Sequence, residues 1–101
     1  MLQLVGLAAR AGAIAWGTER VRDATRKGRV RFAVVAADLT DTGRDKLIPL
    51  LEGRGVDFAV RYTRAELGSA VGRGPLAAIG VTHSGFAERL EALLREGASA
   101  D

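Results

Sequence analysis

Short apolar runs alternate with helically spaced segments along this chain, and glycine or polar turns separate them. Phe32-Ala33-Val34-Val35-Ala36 and Leu76-Ala77-Ala78-Ile79-Gly80-Val81 are continuous apolar stretches. A run of that kind suits a strand covered on both faces. Between the runs, apolar residues recur at helical spacing: Leu4, Val5, Leu7, Ala8 and Ala11; Val21, Ala24 and Thr25; Leu47, Ile48, Leu50 and Leu51; Phe86, Leu90, Leu93 and Leu94. Strands that alternate with helices predict an α/β domain with helices on both faces of a mainly parallel sheet.

The punctuation predicts the element ends. Gly12, Gly17 and Gly28 close the first helix, a short strand at Ala13-Ile14-Ala15-Trp16, and the second helix. Thr18 is the expected cap of that second helix. Asp38 to Thr42 reads as a polar turn. The helix after it carries Pro49, which predicts a kink or a late start. Val56 to Tyr62 is the third strand, and Thr63-Arg64-Ala65-Glu66 has capping-box spacing for a short helix. Gly72-Arg73-Gly74-Pro75 is a turn before the last strand, and Ser84 is placed to cap the terminal helix. The chain of 101 residues fits one domain over 1–96, with a short flexible tail of small residues over 97–101.

Composition narrows the chemistry. The chain has no cysteine and one histidine, which argues against disulfide scaffolds, thiol catalysis and a catalytic zinc site. No apolar run is long enough to span a bilayer, and the opening residues lack the basic region of a secretory leader. A cytoplasmic protein is expected. Through Val35 the chain carries seven basic residues against two acidic; after it, eight against ten. Thirteen of the fifteen cations are arginine. That asymmetry points to an anionic partner, nucleic acid first, or to arginine used simply for solubility.

Arg22, Arg26 and Arg29 share one helix face if helical geometry persists, and the N–H groups at Thr18 would favour phosphate. Internal pairs, Glu19 with Arg22 and Asp23 with Lys27, are the structural alternative. Gly68 to Pro75 matches no phosphate-loop fingerprint, so it reads as a contact loop tipped by Arg73 or as a plain αβ turn. Asp38 is more a turn former than a catalytic acid, and His83 a helix-start or surface residue rather than a base. Phe32, Phe58 and Phe86 occupy core positions and suggest no stacking of single-stranded bases. No catalytic constellation, no cofactor site and no small-molecule substrate emerge.

Several segments in order resemble a known family. Leu4-Val5-Gly6-Leu7-Ala8-Ala9-Arg10-Ala11-Gly12 resembles the first helix of bacterial YlxQ-type proteins. These belong to the ribosomal-protein family that binds kink-turn RNA, relatives of the archaeal large-subunit protein seven-A-e and the eukaryotic protein thirty-e. Gly17 to Ala24, with Arg26-Lys27-Gly28, is similar to the family's RNA-reading helix start. Val34 to Asp38, Thr63 to Gly72 and Phe86 to Leu90 are similar to its second strand, its Leu-Gly stretch and its last helix.

The resemblance implies a single-domain three-layer α/β/α sandwich with a four-stranded mixed or mainly parallel sheet. It implies an RNA-binding protein without enzymatic activity, associated with ribosomes or acting in ribosome assembly or translation. The partner would be structured RNA, ribosomal or kink-turn-like, with ribosomal particles beyond it and no membrane. The contact surface it implies is the second helix start, the turn after the second strand and the loop before the last strand. Gly17, Thr18, Glu19, Arg20, Arg22, Arg26, Arg64, Arg73 and Gly74 are the expected RNA-binding residues. Here Glu19 stands where kink-turn binders place Asn, Arg20 where they place Glu, and Asp23 where they place Lys. An ionised Glu19 only accepts hydrogen bonds, and Asp23 repels phosphate. The expectation is therefore weakened, salt-sensitive RNA binding. The rival expectation is a protein-interaction module on the same fold that has lost kink-turn recognition.

Overall fold

The computed structural model describes residues 2–100, with side chains described for 2–94. The elements are α1 (Leu2–Arg10), β1 (Ile14–Trp16), α2 (Thr18–Arg26), β2 (Phe32–Val35), α3 (Asp41–Gly53), β3 (Phe58–Val60), α4 (Arg64–Ala70), β4 (Ala78–Val81) and α5 (Ser84–Ala100). The tail expected over 97–101 falls on the end of α5 and on Asp101, which lies outside the described residues.

The sheet is mixed, in the order β1-β4-β2-β3. Only β2 and β3 run parallel; β4 is antiparallel to both β1 and β2. The departure from a mainly parallel sheet originates at α4. The chain leaves β3, runs along α4, then doubles back until the Leu76 N–H donates to the Arg64 carbonyl at 3.0 Å. It thus re-enters the sheet at the end it left, and β4 must run the opposite way.

The strands divide two cores by simple alternation. Phe32, Val34, Ala36, Ile79 and Val81 face α1, α4 and α5, where Leu4, Val5, Leu67 and Leu90 are buried. Ala33, Val35 and Ala78 face α2 and α3, meeting Val21, Leu47 and Leu51. Each Val or Leu buried in this way contributes about 1.5–3 kcal/mol. A Cβ on Gly80 would lie 3.1 Å from a Val30 methyl and 3.6 Å from a Val21 methyl, so the glycine lets α2 and its exit pack close to the sheet.

The helix ends differ in detail from the sequence expectation. Thr18 is the first residue of α2 rather than its cap; Gly17 occupies the cap position, with no side-chain bond. The last helix starts from His83, whose Nδ1 accepts the Gly85 N–H at 3.1 Å. Its carbonyl takes the Ala87 N–H, so His83 does the work expected of Ser84. The Thr63–Glu66 capping box is present. α3 starts at Asp41 on the Thr40 cap and continues through Pro49, so the proline does not delay it. It does remove one i→i−4 donor.

Candidate nucleic-acid interface

Backbone bonds gather several loops at one end of the sheet. Gly17 N–H donates to Ala78 O, Ala36 N–H to Ala77 O, and Ala37 N–H to Tyr62 O. The start of α2, the turn after β2, the start of α4 and the loop before β4 therefore converge there. Tyr62 sits at φ 66 at this edge, an uncommon backbone for so bulky a residue.

Gly17 shapes the α2 start. Its φ of 86 and ψ of 159 lie in a region that is essentially glycine's alone. Its N–H is already committed to Ala78, so Gly17, one of the expected RNA-binding residues, offers no free backbone donor. The helical ladder begins with Val21 N–H donating to Gly17 O. The N–H groups of Thr18, Glu19 and Arg20 precede that bond and remain at the positive end of the helix.

The loop before β4 is fixed by how α4 ends. Gly72, at φ 73, gives its N–H to Ser69 O, and Arg73 gives its N–H to Gly68 O at 2.8 Å. This is a Schellman closure, with Arg73 as its second residue past the cap. The Gly74 carbonyl lies against the Cα of Gly68, where a Cβ would collide with it. The αβ-turn reading is thus correct, and the same turn aims Arg73.

Arg73 reaches Trp16. Its guanidinium carbon lies 3.9 Å from the centre of the indole, and that of Arg20 lies 4.5 Å away. Two cations from separate elements share one half-buried ring at the end of β1. Each such contact is worth about 0.5–1 kcal/mol where partly exposed. Arg73, Trp16 and Arg10 also line an open cavity of about 370 Å³ between α1, β1 and the end of α4.

The other predicted residues divide. Arg22 is only 26% exposed and bonds Glu19 across 3.3 Å, with its Nε buried and unpartnered. Asp23 pairs with Lys27 at 3.0 Å. Both are short-range helix pairs with at least one exposed partner, worth a few tenths of a kcal/mol and weak enough to exchange. Arg64 stands at the converging end but is held by Asp38, whose Oδ1 accepts the Arg64 N–H at 2.9 Å. Its Nε lies 3.6 Å from the other carboxylate oxygen. That backbone bond and the Arg64 charge hold the Asp38 carboxyl below its ordinary pKa, against a smaller desolvation effect. Arg26 is not part of the cluster. It ends α2, about 12 Å along the axis from Thr18 at 1.5 Å per residue.

Trp16 was not among the expected residues, since its apolar strand hid it. The signal was local: the chain's only tryptophan directly precedes the glycine that opens the basic helix.

The family follows from comparison with known proteins. The chain belongs to the ribosomal protein L7Ae/L30e/S12e/Gadd45 family, whose signature matches residues 1–91. A Bacillus halodurans protein described as of unknown function is 33% identical, with a TM-score of 0.87 over 93% of this chain and 95% of that one. A 15.5 kD RNA-binding protein of Giardia lamblia shares the fold, at 22% identity and a TM-score of 0.74 over 91% of this chain and 85% of that one. No curated protein matches this chain. The family assignment agrees with the resemblance carried by the helix start, the Leu-Gly stretch and the last helix.

Proposed function

We propose that this chain is a non-enzymatic RNA-binding protein that meets structured RNA with the end of the sandwich bearing Trp16. The carrying observation is the pair of guanidiniums, Arg20 and Arg73, held on one indole beside an open helix start. Guanidinium forks match phosphate oxygens, and holding them on a ring lowers the entropy lost on binding. The N–H groups at the α2 start add donors for the same backbone, and Gly74 lets the loop approach closely. The ribosomal family and the RNA-binding description of the Giardia relative support RNA as the partner.

The finer reading is a cytoplasmic protein of the ribosome, ribosome assembly or translation, binding kink-turn-like RNA with reduced affinity. Glu19 supplies only acceptors at a base edge, and its carboxylate is shared with Arg22. Asp23 is neutralised by Lys27 rather than projecting as a lone anion. The same two pairs also support the rival, a protein-docking module, because they cancel charge at the helix start.

Fluorescence anisotropy with a kink-turn RNA, a matched plain duplex and a single strand, each at low and high salt, decides between them. Kink-selective binding that weakens with salt is the expected result. Failure to bind any of the three at low salt would remove RNA binding and leave the docking module.

A further inference from the structure

The chain has no carboxylate between Asp23 and Asp38, yet that interval holds Arg26, Lys27, Arg29 and Arg31. The fold carries these cations away from Trp16, to the opposite end of the sheet. There Arg31 N–H donates to Val81 O, at the far end of β4 from Ala78. α3 ends at the same place and adds Arg54, whose Nη1 donates to the Arg26 carbonyl at 3.1 Å.

Backbone closures hold the cluster in position. Arg29 N–H donates to Ala24 O and Gly28 N–H to Thr25 O; Gly55 N–H donates to Glu52 O and Val56 N–H to Leu51 O. Both helices end in the same type of closure, side by side. Arg31 and Arg54 line an open cavity of about 350 Å³ with Thr25, Val30 and Val56, and no carboxylate among the described residues lines it. Glu52 and Asp57 flank the neighbouring groove instead. Arg26, Arg29 and Arg31 are exposed and have no ion-pair partner among the described residues.

Complementing helix dipoles explains part of this cluster, since Arg26 and Lys27 end α2 and Arg54 ends α3. It does not explain Arg29 and Arg31, which follow the helix and lead into β2. A surface built only for solubility would intersperse acidic residues among them.

We propose that Arg29, Arg31 and Arg54 form a second phosphate-contacting surface for RNA, separate from the one at Trp16. The domain measures 30 × 27 × 25 Å, so the two surfaces meet different RNA segments rather than adjacent phosphates. The protein then holds two segments of a folded RNA against each other. This rests on the reading of the chain as an RNA binder, but not on the Trp16 contact itself.

The glycines report each end separately. Gly28 and Gly55 lie at the arginine cavity, and Gly17 and Gly72 at the Trp16 end. A 16-base-pair RNA duplex of generic sequence is titrated into the ¹⁵N-labelled full chain at low salt. Both glycine pairs are expected to shift. In Arg29→Gln/Arg31→Gln the Gly28 and Gly55 shifts should be lost while Gly17 and Gly72 still move. The slope of log K against log salt should fall by about two. Arg31→Gln/Arg54→Gln should behave alike, and far-ultraviolet circular dichroism checks that both variants are folded. Shifts at Gly17 and Gly72 alone in the wild type would overturn this surface and leave the proposed function standing. Shifts at Gly28 and Gly55 alone would uphold the arginine surface but remove the Trp16 site, and with it the holding of two RNA segments. Shifts at neither would overturn both.

Discussion

The guanidinium of Arg73 lies 3.9 Å from the centre of the Trp16 ring, across two segments far apart in sequence. Arg73 owes its place to the closure of α4, and Trp16 to the last position of β1. The ring therefore couples the loop before β4 to the start of α2, through Arg20 on the same indole. The arginines gain fixed positions while the local positive charge stays whole, which a carboxylate partner would have offset.

Removing the ring should therefore weaken RNA binding although the charges remain. Trp16→Leu is expected to lower affinity several-fold, and Trp16→Phe to restore part of it, because a smaller ring still attracts cations. Arg20→Ala and Arg73→Ala should each flatten the log K against log salt slope by about 0.9. Anisotropy titrations across a salt series measure all four. An unchanged affinity in Trp16→Leu would mean that the ring does not position the arginines.

Gly68 should be intolerant of even one methyl group. A Cβ there collides with the Gly74 carbonyl, and the loop must move away from α4. Gly68→Ala is expected to cost about 1–3 kcal/mol by overpacking. It should also disturb Arg73, so the emission of the lone tryptophan should change before unfolding begins. Urea titration followed by tryptophan fluorescence reads both effects. Wild-type stability and emission together would mean that the loop is not fixed by this contact.

Two threonines at helix starts should respond differently. Thr63 accepts the Glu66 N–H at 3.1 Å within a reciprocal capping box, and Thr63→Ala should cost about 1 kcal/mol. Thr18 makes no capping bond, so Thr18→Ala should stay within about 0.5 kcal/mol of wild type. Chemical denaturation of the two variants side by side tests the assignment, and equal losses would contradict it.

Asp38 supplies a pH dependence of defined sign. Its carboxyl titrates below its ordinary value in the folded chain, first because it accepts the Arg64 N–H and then because of the Arg64 charge. A depressed pKa contributes stability that is present above the unfolded-state value and lost as pH falls through the folded one. Asp38→Asn keeps an oxygen acceptor but not the charge. The wild type should exceed this variant in stability near neutral pH, and the difference should shrink in acid. Urea midpoints measured across acidic pH test this; a constant difference would exclude the linkage.

The sequence by itself determined the order of elements, because apolar spacing and glycine stops act locally. The runs at Phe32–Ala36 and Leu76–Val81 supply the two central strands, and Gly12, Gly28 and Gly72 lie just past the helix ends they mark. The Thr63–Glu66 box and the Glu19–Arg22 and Asp23–Lys27 pairs were legible for the same reason: their partners lie three or four residues apart. Tertiary structure alone decided the rest. The antiparallel entry of β4 depends on the return from Leu76 to Arg64, which no local pattern encodes. His83 replaced Ser84 as a cap because its ring nitrogen reaches the Gly85 N–H. The division of the arginines is likewise a matter of packing. Arg20 and Arg26 lie near opposite ends of one helix, while Arg73 and Arg20 meet only because the sheet brings β1 and β4 together.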